Sequence, residues 1–110
     1  MKDSFVNRFS FSEYEYEYLD DCVLIYLLKN DTILSLNITA TFIWEQLALY
    51  INAEKPIDEE SISKELIDHF RIDDLKYKHE RIKKDVDRII KEFILLGLLI
   101  DNHDRFQTDN

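Results

Sequence analysis

Residues 12–36 read SEYEYEYLDDCVLIYLLKNDTILSL, and no other stretch of the chain narrows its fold as far. Tyr14, Tyr16 and Tyr18 alternate strictly with Glu13, Glu15 and Glu17. A period of two sends the tyrosines to one face and the carboxylates to the other, which is the pattern of a half-buried strand. Asp20 and Asp21 supply a turn. CVLIYLL, residues 22–28, is a more continuous apolar run that fits a central strand covered on both faces. Lys29, Asn30 and Asp31 make a second turn, and TILSL, residues 32–36, is a third, short strand. Strands joined by turns this short must run antiparallel, so the stretch predicts a three-stranded meander.

The third strand stops at Asn37, and a helix from Ile38 to about Ile51 begins at once. An asparagine side chain at this point accepts a hydrogen bond from a free N–H of the first helical turn. Ile38, Phe42, Ile43, Leu47, Tyr50 and Ile51 follow helical spacing, and Ala40, Trp44 and Ala48 form a second apolar side. A helix apolar on more than one side belongs at the centre of a fold, and its tryptophan belongs in the core. NAEKPID, residues 52–58, is a loop. Asp58 caps a second helix with Glu59 and Glu60 near its positive end and a stripe of Ile62, Leu66, Ile67 and Phe70. After a polar connection over residues 71–78, a third helix spans residues 79–96. Its stripe is Ile82, Val86, Ile89, Phe93 and Leu96, with Ile90 and Ile94 off to one side, and Gly97 stands where a C-terminal cap belongs. Residues 98–101 suit a short final strand. The expected class is therefore α+β and winged-helix-like, a three-stranded antiparallel sheet followed by three helices. Residues 12–101 form the domain, residues 1–11 an N-terminal extension, and residues 102–110 a flexible tail. Phe5, Phe9 and Phe11 mark the extension as able to pack on the domain or on a partner.

The chain has 110 residues, a length that favours one domain, and its single glycine and single proline leave little room for long linkers. The formal charge of −9 disfavours nucleic-acid binding. The charge is uneven: residues 1–75 hold 6 Lys/Arg against 16 Asp/Glu, and residues 76–91 hold 7 against 3. That basic segment is either a solvated face laced by Glu80–Lys84 and Asp87–Lys91 pairs or the attracting rim of a site for an acidic partner. Cys22 is alone, which excludes a disulfide framework. No signal-peptide pattern and no transmembrane run is present, so a cytoplasmic protein is expected and the Asn-Ile-Thr acceptor at Asn37 is a chance match.

Catalytic chemistry finds little support. His69, His79 and His103 lack ligand spacing, so no metal site or cofactor is expected. Ser61 and Lys64 match S-x-x-K without its companion motifs, which leaves a polar helix face. Cys22 lies in a strand with no placed histidine, and one glycine cannot build a phosphate loop. The expectation is a protein that is not an enzyme.

The assembled pattern resembles the PqqD-like family, also called RiPP recognition elements. The resemblance covers residues 18–100 and rests on two motifs. One is the strand end and helix start at Leu36, Asn37, Ala40, Ile43 and Trp44. The other is Asp85 and Val86 leading through Phe93 to Gly97 and Leu98. The chain departs from the family pattern in the loop of residues 52–58, which is longer and has no glycine. The resemblance implies a non-catalytic module that binds the leader segment of a ribosomally made precursor peptide and delivers it to a modifying enzyme. Whether that enzyme is a radical-SAM enzyme, a cyclase or a protease is left open. It further implies that the leader adds as a strand to the sheet edge and lies against the third helix. The expected peptide site is Thr32, Ile33, Leu34 and Ser35 on the edge with Ile82, Lys83, Val86 and Ile90 on the helix, and Ile89 and Phe93 in the core. A bare edge strand agrees with strand addition, and it also permits strand exchange between two copies. Two other readings stand beside this one. A winged-helix DNA-binding regulator would use the third helix for recognition, against the interruption of its basic face by Asp85 and Asp87. An anchor subunit of a larger complex would use Tyr14, Tyr16 and Tyr18 as a partner face.

Overall fold

The computed structural model describes residues 9–70 and 76–102. Its elements run β1 (Phe9–Phe11), β2 (Tyr14–Leu19), β3 (Cys22–Leu27), β4 (Thr32–Leu36), α1 (Ile38–Asn52), α2 (Glu59–Phe70), α3 (Lys76–Leu95) and β5 (Leu99–Asp101). The α+β architecture is the expected one, an antiparallel sheet in the order β2-β3-β4 followed by three helices. Phe5, His103 and the tail over residues 103–110 lie outside the described residues. No helix among the described residues is long and apolar enough to cross a membrane.

Alternation decides the faces of the sheet. Tyr16 pairs with Ile25 and Tyr18 with Val23 on the inner face, and Ile25 pairs onward with Leu34 and Val23 with Leu36. Val23, Ile25, Leu27, Leu34 and Leu36 are buried there against Phe42, Ile43, Trp44 and Leu47 of α1. The outer face carries Glu15, Glu17, Leu24, Tyr26, Ile33 and Ser35. Cys22, Leu24 and Tyr26 are half-buried, so β3 is covered on one face and only partly on the other, a correction to the fully covered strand expected from its apolar run.

The turns obey local chemistry. Asp20 and Asp31 take φ of 57° and 55°, a left-handed conformation that aspartate tolerates better than most residues. Asn37 is the N-cap of α1, its side-chain oxygen accepting from the Ala40 N–H at 2.8 Å. Asp58 accepts from the Glu60 N–H at 3.1 Å at the start of α2. At the end of α3, the Gly97 N–H reaches the Ile94 carbonyl and the Leu98 N–H reaches the Phe93 carbonyl, with Gly97 at φ 89°. These two bonds form a Schellman cap, which needs a residue free to adopt positive φ.

Phe9–Phe11, placed by the sequence in an extension, form a strand antiparallel to β5, with Ser10 opposite Ile100. The Ser12 N–H donates to the Leu98 carbonyl at 2.9 Å, and Asn102 donates to Ser10 at 3.2 Å. Phe9 and Phe11 pack against the core, so the fold reaches back to residue 9. A ribbon of the two chain ends closes the domain beside α3.

Candidate functional site

The register assigns every backbone group of the sheet to one side or the other. In an antiparallel pair, a residue sends its N–H and C=O together either toward the partner strand or away from it, in alternation. The Leu28 N–H donates to the Glu13 carbonyl at 3.2 Å, so residues 13, 15, 17 and 19 of the first hairpin arm face β3. Along β3 the opposite set, Val23, Ile25 and Leu27, then faces β4 and meets Leu36, Leu34 and Thr32. The Thr41 hydroxyl confirms the direction. It accepts from the Val23 N–H at 3.1 Å and donates to the Leu36 carbonyl at 3.3 Å, bridging the two groups where the pair splays apart.

The outer edge of β4 is therefore made by Ile33 and Ser35. Their N–H and C=O groups have no hydrogen-bond partner among the described residues. Their side chains lie on the outer face, and Ile33 is 66% exposed. Thr32 and Leu34 turn their backbone groups to β3, and the Leu34 side chain is buried. Of the four edge positions expected from sequence, two form the open edge and two close the ladder. The sequence leaves this division undetermined because a register shift of one residue exchanges the two sets.

On α3 the expected residues do not behave as a set. Val86 and Ile90 are 0% and 2% exposed and belong to the core with Ile89 and Phe93, a correction to their placement in a peptide site. Helix α3 packs on α2, α1 and β5, and the off-stripe Ile90 is buried in the same core as Val86, Ile89 and Phe93 of the main stripe. Ile82 is half-buried against the same core. Lys83 is exposed, but its Nζ lies 3.0 Å from Glu60, which also meets His79 at 2.9 Å.

Lys83 and the edge of Ile90 line a cleft of about 890 Å³ between the start of α2 and α3, floored by Tyr50, Ile57 and Ile94 and reached by Phe9 of β1. None of its lining residues lies on β4, so the cleft and the open edge are separate features. Charges of both signs ring it. Lys91 pairs with Asp87 at 2.9 Å, and the Lys83 and Lys91 ammonium groups are held above their ordinary range by Glu60 and Asp87. The Glu60 carboxyl is lowered by Lys83 and then by His79. The Glu59 carboxyl is raised, first by burial and then by the neighbouring Asp87. Arg88 binds Glu92 at 3.0 Å and lies 3.9 Å from Asp85. Within the basic segment read from sequence, Lys83, Arg88 and Lys91 are thus paired, by a cross-helix contact as well as by neighbours on α3. The Asp87–Lys91 pair is among the two expected.

A second cluster forms around Trp44. The rings of Tyr14, Tyr16 and Tyr18 lie with centroids 6.0, 5.3 and 6.3 Å from the indole. Trp44 is 4% exposed, as expected for a core tryptophan, whereas Tyr16 and Tyr18 remain 56% and 45% exposed. The Tyr18 hydroxyl donates to Glu45. Burial, the Glu45 hydrogen bond and its charge push the Tyr18 phenol up to about 12. Burial also raises the Tyr14 phenol, while the nearby indole N–H pulls it partly back. That approach falls short of hydrogen-bond geometry, and Trp44 Nε1 has no hydrogen-bond partner. His69 stacks on Phe42 at 4.6 Å and is taken up in packing. Comparison of the chain with models of protein families, with curated proteins and with solved structures gives no match.

Proposed function

We propose that this chain is a non-catalytic peptide-recognition module that takes an extended segment as an added strand on β4. By its resemblance to the PqqD-like family, that segment is the leader of a ribosomally made precursor peptide, held in the cytoplasm for a modifying enzyme or leader protease. One observation carries the reading. The register leaves the N–H and C=O groups of Ile33 and Ser35 on an edge with no strand beside it among the described residues. Alternate groups spaced along an edge bind any backbone of matching register, and side chains beside them choose among sequences. Ile33 is the exposed apolar side chain at that edge and supplies the selective contact. The pairing of Lys83, Arg88 and Lys91 with carboxylates weakens the case for an acidic ligand drawn to that part of α3, and the formal charge of −9 weakens the DNA-binding alternative.

Leader peptides from small reading frames encoded beside this protein, fluorescently labelled and titrated by anisotropy, test the reading. One of them binds saturably, and Ile33→Ala weakens it about tenfold, the order expected for losing most of a buried isoleucine side chain. The domain stays folded, because Ile33 lies outside the core. Absence of binding to every leader by a folded protein, or full affinity in Ile33→Ala, contradicts the assignment.

A further inference from the structure

The sheet has two edges, and the second has a different chemistry. With residues 13, 15, 17 and 19 bonded to β3, the N–H and C=O groups of Tyr14, Tyr16 and Tyr18 point away from the sheet. No strand and no hydrogen bond meets these backbone groups among the described residues. The tyrosine side chains project to the inner face around the Trp44 ring, where Tyr16 and Tyr18 stay half exposed, and the buried Trp44 indole N–H has no hydrogen-bond partner. The outer face beside the same edge carries Glu15 and Glu17, both exposed. Residues 12–28 contain five carboxylates and no lysine or arginine.

We infer that the β2 edge is a docking strand for a basic, extended segment of a partner protein. A strand added there has two faces with distinct neighbours. Side chains on one face meet Glu15 and Glu17, where lysine or arginine gains a cross-strand ion pair. Side chains on the other face meet Tyr16 and Tyr18, where apolar groups or an arginine stacked on a ring are favoured. The occupant is therefore a segment alternating basic with apolar or arginine residues. A second copy of this chain is a poor occupant, because pairing β2 with β2 would set glutamates beside glutamates, and like charges across a strand pair are destabilising. The inference stands apart from the leader reading, since it concerns the opposite edge of the sheet and a basic rather than an apolar selective contact.

The probe is an eight-residue peptide alternating arginine and valine, titrated into the full chain labelled with 15N. Two controls accompany it: the same peptide with glutamate for arginine, and an N-methylated version that cannot donate along one edge. The arginine peptide should bind saturably and shift the amides of Tyr14, Tyr16 and Tyr18, with the indole N–H of Trp44 as a reporter beneath them. The glutamate and N-methylated peptides should not bind. A Glu15→Gln, Glu17→Gln double variant should lose about fivefold in affinity, the effect expected of two cross-strand charge pairs. Because both side chains are exposed, the variant keeps its fold, which the unchanged amide spectrum of the core verifies. Shifts confined to Ile33 and Ser35, binding indifferent to N-methylation or to the glutamine changes, or loss of the β2 amide signals by self-association without peptide would each overturn the inference.

Discussion

Thr41 is the residue on which the junction of sheet and helix turns. It is 3% exposed, and its hydroxyl serves the Val23 N–H and the Leu36 carbonyl together. Replacing it with valine keeps the shape and removes both bonds, leaving a buried donor and acceptor unpaired. Thr41→Val should cost about 1–3 kcal/mol in urea denaturation, and Thr41→Ser, which keeps the hydroxyl, clearly less. A loss in Thr41→Ser as large as in Thr41→Val would assign the effect to the methyl group and its packing. Nothing in the string NITATF distinguishes this threonine from Thr39, because its role depends on where two strands end in space. Tyr18 gives a second measurable effect. Its phenol titrates near 12 in the folded chain against about 10 in an unfolded one. The contribution is present in full below about pH 10. It is lost as pH rises toward 12, because the unfolded state releases the proton first. The urea midpoint should therefore fall between pH 10 and 12, and Tyr18→Phe should fall less over that window. Equal falls in the two proteins would remove Tyr18 from the account.

At the scale of the element, β4 joins two roles in alternate residues. Thr32, Leu34 and Leu36 close the ladder with β3, whereas Ile33 and Ser35 face outward. Proline cannot donate a backbone hydrogen bond, and in a sheet it is tolerated only where the N–H points away from the neighbouring strand. Ser35→Pro should leave the domain folded and abolish strand addition. Leu34→Pro should remove a ladder bond and a core side chain and unfold the domain, as read by circular dichroism. Identical behaviour of the two variants would mean that the assigned register is wrong. Helix α3 shows how element-level reading misleads. Its sequence displays apolar side chains on more than one stripe, and a helix with a spare stripe invites a ligand. In the fold α1, α2 and β5 surround it and absorb Val86 and Ile90 together with Ile89 and Phe93. Periodicity reports which side chains seek cover, and the neighbours that provide it are fixed only by the tertiary arrangement.

Across the whole molecule, the strongest local signals became the elements they suggested. The Tyr-Glu alternation became β2, Asn37 the cap of α1, and Gly97 the end of α3. The final strand expected over residues 98–101 is β5, but β1 and its pairing with β5 escaped the sequence, because a three-residue strand some ninety positions from its partner leaves no local trace beyond the phenylalanines of FSF. Likewise, the pairing of Lys83 with Glu60 crosses from α3 to α2 and alters the reading of a basic helix that looked open in one dimension. What results is a sheet with one apolar edge at Ile33 and one acidic, tyrosine-lined edge at β2, on opposite sides of a shared core. The first of these is the edge proposed to take the leader. The most direct test is amide hydrogen exchange on the full chain, with and without a leader peptide that binds it. The account predicts that the Ile33 and Ser35 amides exchange freely in the unbound chain and become protected on binding, while β2 is unchanged. Saturable binding that leaves those two amides exchanging at their free rate would contradict it.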